Sequence, residues 1–93
     1  MKWLEIVEIR SIRSKRETLK AEMQELMKDE GKMMDEGQAI KIYNHVTVDS
    51  DFNIHLFHDS ENVETSGSSL GLYLASFLKK HGLVNHSIWI QET

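Results

Sequence analysis

Two histidines and three aromatic residues are the side chains in this sequence with the most chemical potential. His45 and His55 lie on the two arms of a predicted β-hairpin, with Tyr43 and Phe57 beside them. A three-residue turn would make the histidines cross-strand neighbours, with Cβ atoms about 4.5–5.5 Å apart. Two imidazoles at that separation could serve as a general base, a pH switch or metal ligands. They could equally line an interface and make ordinary hydrogen bonds.

The same face of the predicted sheet is expected to hold Trp89, from the last strand. Trp3 and Trp89 could stack on a flat ligand or pack against protein. No metal or cofactor is expected, because two ligands are too few and no Asp, Glu or Cys is expected beside the two histidines on the same face. His58 points to the opposite face from His55, since strand side chains alternate. The ligand-binding candidates are Tyr43, His45, His55, Phe57 and Trp89; no catalytic residue is identified.

A short polar segment before the second predicted helix, residues 66–69 (Ser-Gly-Ser-Ser), is a weaker candidate site. Its backbone amides could hold an anion, or one of its serines could cap the helix. It lacks the lysine and the longer glycine pattern of a phosphate-binding loop. The pattern therefore favours a capped helix.

The hairpin at residues 40–58 positions most of these candidates. Its even positions are apolar on both arms: Ile40, Ile42, Val46, Val48, Phe52, Ile54 and Leu56. A turn over residues 49–51 pairs Val48 with Phe52 and places both sets on one face. A five-residue turn preserves the same parity.

The first strand, residues 2–12, is apolar on both faces, with Leu4 and Ile6 on one and Trp3, Val7 and Ile9 on the other. We expect something to cover each side, because a strand with one face in water alternates more cleanly. Val7 and Ile9 are expected on the face that the helices leave open.

Two helices complete the chain. Ser14 and Glu17 form a capping box for the first, and Gly31 is its expected end. A loop over residues 32–37 follows, in which Met33 or Met34 could tuck under the sheet. The second helix has the apolar stripe Leu70, Tyr73, Leu74, Phe77 and Leu78. It ends at Gly82, Leu83 is expected to contact it as part of the C-cap, and a strand over residues 84–91 follows.

The predicted order is β-α-β-β-α-β in a single domain over residues 1–93. Right-handed crossovers place both helices on one face of a four-stranded antiparallel sheet, which is the α+β ferredoxin-like arrangement. The face with Tyr43, His45, His55 and Phe57 is left uncovered, and it is too apolar for water. We therefore expect a homodimer in which two sheets pack face to face.

With this element order and this semi-apolar open face, the chain resembles the dimeric α/β-barrel proteins. That group includes antibiotic-biosynthesis monooxygenases and small stress-responsive proteins. The resemblance implies a small molecule in the sheet-lined cavity and, as one option, cofactor-independent oxygenase-like chemistry. Segments 70–75 (LGLYLA) and 82–89 (GLVNHSIW) are similar to those of a bacterial family of similar size, which implies no activity.

Composition narrows the possible partners. The net charge is −4, and the sequence has no stretch in which Lys or Arg residues alternate with aromatic residues. Nucleic acid is therefore not an expected partner. No run approaches the ~18 apolar residues of a membrane-spanning helix. No secretory signal is recognised, because Glu5, Glu8 and Arg10 interrupt the start, so the expected location is cytoplasmic. The alternative to a small-molecule barrel is a non-enzymatic dimeric sensor, accessory or structural module.

Overall fold

The computed structural model describes residues 1–33 and 37–92, without the side chains of residues 29–33. The strands are β1 (Lys2–Ser11), β2 (Gln38–Asn44), β3 (Asp51–Asp59) and β4 (Gly82–Ile90), and the helices are α1 (Arg16–Met33) and α2 (Ser69–Leu78). A short 3₁₀ helix precedes α1 (Arg13–Lys15) and another follows α2 (Lys79–His81). Within the described ranges, neither helix is long and apolar enough to cross a membrane.

The four strands form one sheet in the order β2-β3-β1-β4, and every neighbouring pair is antiparallel. Both helices pack on the same face of this sheet. The core joins side chains of the sheet to one side of each helix: Val7, Ile9, Phe52, Ile54, Leu56, Leu19, Met23, Leu74 and Leu78. This is the ferredoxin-like βαββαβ fold, as the sequence predicts.

The two faces of β1 are the reverse of the prediction. Val7 pairs with Ile54 and with His86, and both Val7 and Ile9 are buried under the helices. Leu4 and Ile6 point the other way and lie on the open face of the sheet. Because β1 has apolar residues on both faces, alternation alone does not indicate which face is buried under the helices.

The β2–β3 hairpin keeps the predicted parity but has a longer loop, over residues 45–50. Ile42 pairs with Ile54, so the even positions of both strands do share the helix-facing side. Val46 and Val48 were expected to extend β2. They lie in the loop instead, and Val46 is 93% exposed.

Polar side chains at the end of β2 explain this loop. The Asn44 side-chain amide donates hydrogen bonds to the carbonyl oxygens of Asp49 and Asp51, at 3.1 and 3.0 Å. The His45 Nδ1 atom accepts from the backbone amides of Thr47 and Val48, at 3.1 and 3.0 Å. Local bonds of this kind compete with the strand ladder and end it early.

The predicted limits of α1 are wrong at both ends. Ser14 lies inside the 3₁₀ helix, whose Lys15 amide donates to the Ile12 carbonyl, so Ser14 cannot adopt the extended backbone of a helix cap. Gly31 does not end the helix, which continues to Met33. A glycine inside a helix costs only about 1 kcal/mol relative to alanine.

Two apolar side chains that were assigned to packing at α2 are exposed. Tyr73 lies on the outer side of the helix, and Leu83 lies on the opposite face of the sheet from α2. Gly82 does end the helical segment, as predicted. The predicted packing of Met33 or Met34 concerns side chains outside the described ones.

Candidate functional site

The open face is the side of the sheet that the helices leave uncovered. The strand register fixes its members, because directly paired residues of antiparallel strands share a face. Its central side chains are Leu4, Ile6, Glu8, Lys41, Tyr43, Asn53, His55, Phe57, Ser87 and Trp89. Four of the five predicted candidates, Tyr43, His55, Phe57 and Trp89, are therefore brought to one surface.

His55 lies at the middle of the open face, between two aromatic rings. The centroid of its imidazole is 4.7 Å from that of Tyr43 and 6.0 Å from that of Phe57, and both rings are tilted relative to it. Burial lowers the pKa of His55, against the raising effect of the Glu8 carboxylate. The neutral imidazole is consequently the form that this surface favours.

A concavity of about 580 Å³ lies where β1 and β2 begin and β3 and β4 end. It is lined by Leu4, Phe57 and Trp89 of the open face and also by Trp3 and His58 of the helix-facing side. Trp89 is 57% exposed, and its indole Nε1 donates to the Ser87 hydroxyl at 2.9 Å. The volume falls in the range of small-molecule pockets, about 300–1,000 Å³.

His45 does not belong to this site. The residue paired with His55 on β2 is Lys41, not His45, which lies exposed in the loop after the strand. The His45 Nδ1 atom is occupied by the loop amides described above. The predicted pair of cross-strand histidines is thus wrong, because the loop over residues 45–50 is longer than the predicted turn and the register pairs His55 with Lys41.

A second polar cluster lies on the other side of the sheet, under the helices, and its centre is Glu5. This carboxylate is 0% exposed. Its Oε1 atom lies 2.7 Å from His58 Nε2 and accepts from the Ser68 backbone amide at 3.1 Å, and its Oε2 atom lies 2.8 Å from His86 Nε2. A single carboxylate therefore joins β1, β3, β4 and the start of α2.

Both ring nitrogens of His58 have polar partners. The Gln38 side-chain amide lies beside His58 Nδ1, with its nitrogen at 3.2 Å, and an ionised carboxylate such as Glu5 can only accept from Nε2. The proton is then on Nε2, directed at Glu5. Trp3 stacks on the His58 ring with centroids 3.9 Å apart, and its indole donates to the Ser60 hydroxyl at 2.9 Å.

Two glycines make room for this cluster. A Cβ atom on Gly71 would lie 1.8 Å from Glu5 Oε2, and one on Gly67 would lie 2.4 Å from His86 Cε1. Gly67 also has φ +103°, a conformation that other residues rarely adopt. Ser68 caps α2 by accepting from the Gly71 amide at 3.0 Å, as the cap interpretation predicts. Its own amide binds an internal anion, the Glu5 carboxylate.

The Glu5 carboxyl is held in its ionised form. Burial opposes ionisation, but hydrogen bonds from Ser68, His86 and His58 outweigh it and keep the pKa of Glu5 below its usual value of 4.5. The positive end of the α2 dipole acts in the same direction. Among the described residues, no three His, Asp or Glu side chains are placed to hold a metal ion. The Glu5 carboxylate is bonded to His58, His86 and Ser68, and the Glu5 cluster thereby connects β1, β3, β4 and the start of α2.

This ionisation predicts a dependence of stability on pH. Because the folded-state pKa of Glu5 lies below the unfolded value, its contribution is complete above about pH 4.5 and is lost as the pH falls through the lower, folded-state value. We expect the difference in unfolding free energy between the native chain and Glu5→Gln, measured in urea, to shrink as the pH falls from about 4.5 to about 3. A difference that stays constant down to about pH 3 would contradict an ionised Glu5.

The sequence contains a signal for this cluster. Glu5 follows Trp3 and precedes Val7 at the alternate positions of β1, His58 follows Leu56 in the same way on β3, and His86 sits between apolar residues on β4. One polar residue in each of three inward-facing series predicts that these polar residues hydrogen-bond to one another.

Comparison of the chain with family models, with curated proteins and with solved structures finds no match.

Proposed function

We propose that this protein is a homodimer whose two sheets pack through their open faces, and that the dimer binds a small molecule between them. The observation that carries the proposal is the apolar and aromatic character of the open face. Tyr43, Phe57 and Trp89 are exposed there together, and Leu4 and Ile6 lie between them. Contiguous exposed apolar surface of this kind marks interfaces and ligand sites.

The charge of the open face supports a second copy of the chain as its occupant. The face holds three cations, Lys2, Arg10 and Lys41, and three anions, Glu8, Asp51 and Asp59. It is therefore neutral while the whole chain carries −4. Two neutral faces meet without the repulsion that two acidic surfaces would suffer.

The size of the face supports the same occupant. Four strands about 4.8 Å apart and about nine residues long at ~3.4 Å each span a projected area of about 550 Å². Side-chain relief adds to this figure, which brings it close to the ~800 Å² that each partner buries in a standard stable interface. The open face is large enough to hold a dimer together.

The concavity supports the binding of a ligand. It lies at one end of the sheet, so a second sheet on the open face would cover the part that Leu4, Phe57 and Trp89 line. Leu4, Phe57 and Trp89 offer mainly apolar contacts, which suit a flat and largely apolar molecule. The cytoplasmic location remains a prediction from the sequence.

A non-enzymatic sensor or accessory dimer is the second candidate, and one observation favours it. His45 is not beside His55, so the pair of imidazoles on which a proton-transfer site was predicted is not formed. His55 is the one imidazole that the open face offers in the described part of the chain.

The dimer is tested by measuring mass in solution with light scattering after size-exclusion chromatography. The chain weighs 10.8 kDa, and we expect twice that mass for the native protein. Ile6→Glu places a charge at the centre of the interface and should weaken the dimer by about 100-fold or more. Leu72→Glu is the matched control, because Leu72 is similarly apolar but exposed on α2.

Circular dichroism on each variant separates lost association from lost folding. If Ile6→Glu does not fold, Trp89→Glu repeats the test at an exposed position of the edge strand β4. A native protein that is monomeric at high micromolar concentration would reject the proposal, as would a dimer that Ile6→Glu and Trp89→Glu leave intact.

Ligand binding is tested with 8-anilinonaphthalene-1-sulfonate, a flat and mainly apolar probe. We expect saturable binding by the native protein and by Leu72→Glu, and a loss of binding in Ile6→Glu and in Trp89→Ala. A dimer that does not bind the probe would reject the ligand site and leave the dimer standing.

A further inference from the structure

We propose that His55 makes the dimer sensitive to pH, so that protonation of its imidazole in mildly acidic solution separates the two sheets. This inference rests on the proposed association through the open face. It adds to that proposal a regulator, the proton, and the single residue that senses it.

The position of His55 is the first argument. On β1 its directly paired residue is Ile6 and on β2 it is Lys41, which places it on one of the two central strands of the sheet. The Tyr43 and Phe57 rings flank it at 4.7 and 6.0 Å between centroids. A second sheet laid on this face would remove the remaining water from an imidazole that already sits among aromatic rings.

The charged groups around His55 do not compensate a positive imidazole. From β1 the Glu8 carboxylate favours the charged form of His55. From β2 the Lys41 ammonium lies directly opposite His55 in the register, with the Tyr43 ring beside the imidazole. Across Ile6, β4 presents the uncharged Ser87. No helix lies on this face, and no carboxylate in the described part of the chain is hydrogen-bonded to His55.

The direction of the pH effect follows from burial. Desolvation lowers the pKa of His55 in the single chain, and a covering sheet would lower it further. The dimer then binds fewer protons than two separate chains. Association is therefore fully favourable above the pKa of His55 in the separate chain, which lies below the ordinary value of 6.5, and it weakens as the pH falls below that pKa. Two His55 residues per dimer give up to about 100-fold in the dissociation constant for each pH unit below the pKa of the separate chain.

The other four histidines are placed differently. His58 and His86 contact the Glu5 carboxylate, and His81 contacts that of Glu22, all on the helix side of the sheet. His45 is exposed in the β2–β3 loop. Since His45 is a histidine of the same hairpin that lies off the open face, it provides a matched control.

The experiment measures the dimer dissociation constant by sedimentation at constant ionic strength across about pH 5 to 8. The native chain, His55→Gln, His55→Phe and His45→Gln are compared. We expect the native constant to rise tenfold or more between about pH 7.5 and 5.5, and His45→Gln to follow it. His55→Gln should vary by less than about threefold. His55→Phe keeps an aromatic ring without a proton site, so it tests the same prediction if His55→Gln weakens the packing. Its dissociation constant should also vary by less than about threefold.

The outcomes separate the two proposals. A native protein that is monomeric at every pH overturns the proposed dimer. A dimer with a constant affinity across this range overturns the role of His55 alone. The role of His55 is also overturned if both His55 variants keep the native pH dependence. The pH dependence would then come from other titrating groups, such as the histidines on the helix side.

Discussion

Replacing Glu5 with glutamine should lower the free energy of unfolding by roughly 2–4 kcal/mol. A chain of 93 residues is expected to have only about 5–14 kcal/mol in total, at 0.05–0.15 kcal/mol per residue. The midpoint of thermal unfolding should fall by roughly 10–20 °C. The effect is large because three donors, on His58, His86 and Ser68, converge on this one acceptor.

The physical reason lies in the amide group of glutamine. It has the shape of the carboxylate, but its NH₂ would face one of the three donors without an acceptor between them. At a site with no exposure to water, the displaced donor has no solvent partner, and its desolvation is not compensated. The loss of negative charge at the start of α2 adds to this cost.

Glu61→Gln is the control for this prediction. Glu61 is exposed in the loop between β3 and α2, and its replacement should change the unfolding free energy by no more than about 0.5 kcal/mol. Urea denaturation of the native chain and both variants at one protein concentration gives the comparison. Equal stability of Glu5→Gln and Glu61→Gln would contradict the assigned role of the Glu5 cluster.

The second large effect is expected for Gly71→Ala. At an ordinary helical position, alanine stabilises by about 1 kcal/mol relative to glycine. Here the added Cβ would lie 1.8 Å from Glu5 Oε2, so either the carboxylate or the helix must move. We expect a net destabilisation of about 3 kcal/mol, opposite in sign to the propensity effect.

Ser76→Ala is the matched control on the same helix. Ser76 is exposed, and its replacement should be neutral or slightly stabilising. Thermal unfolding followed by circular dichroism measures all three chains. A Gly71→Ala protein as stable as the native one would show that the close approach of α2 to Glu5 is not required.

The fold could be predicted from the sequence because its strongest signals are local. The even positions Ile40, Ile42, Ile54 and Leu56 fix the helix-facing side of the hairpin, and the structure confirms that side. Element order and crossover handedness then leave few arrangements for four strands and two helices. None of these steps needs a long-range contact to be known.

The faces of β1 could not be predicted in the same way. Leu4 and Ile6 are as apolar as Val7 and Ile9, and Glu5 sits on the side that turns out to be buried. A glutamate in a strand normally indicates the solvent side. Glu5 is an exception because His58 and His86, which are more than fifty positions away in the chain, provide its donors.

Four of the five candidate site residues could be predicted from the sequence, and His45 could not. Tyr43, His55, Phe57 and Trp89 follow from strand parity, which is a local property. His45 fails because the loop closes on its Nδ1 atom, and the apolar Val46 and Val48 beside it suggested a continuing strand. Side-chain bonds to the backbone outweigh β propensity at this position.

The two faces of the sheet differ in what they carry. The helix-facing side carries the Glu5 cluster, which ties three strands to α2. The open face carries Tyr43, Phe57, Trp89 and His55 and part of the lining of the concavity, and every functional proposal depends on what covers this face.

The most direct test of that dependence is an isotope-filtered NMR experiment on a mixture of labelled and unlabelled chains, which detects only contacts between copies. We expect intermolecular contacts from the side chains of Ile6, Phe57 and Trp89, at a pH near 7.5. Contacts that come instead from Leu72 and Tyr73 on α2, or no intermolecular contacts at all, would contradict the proposed pairing of the open faces.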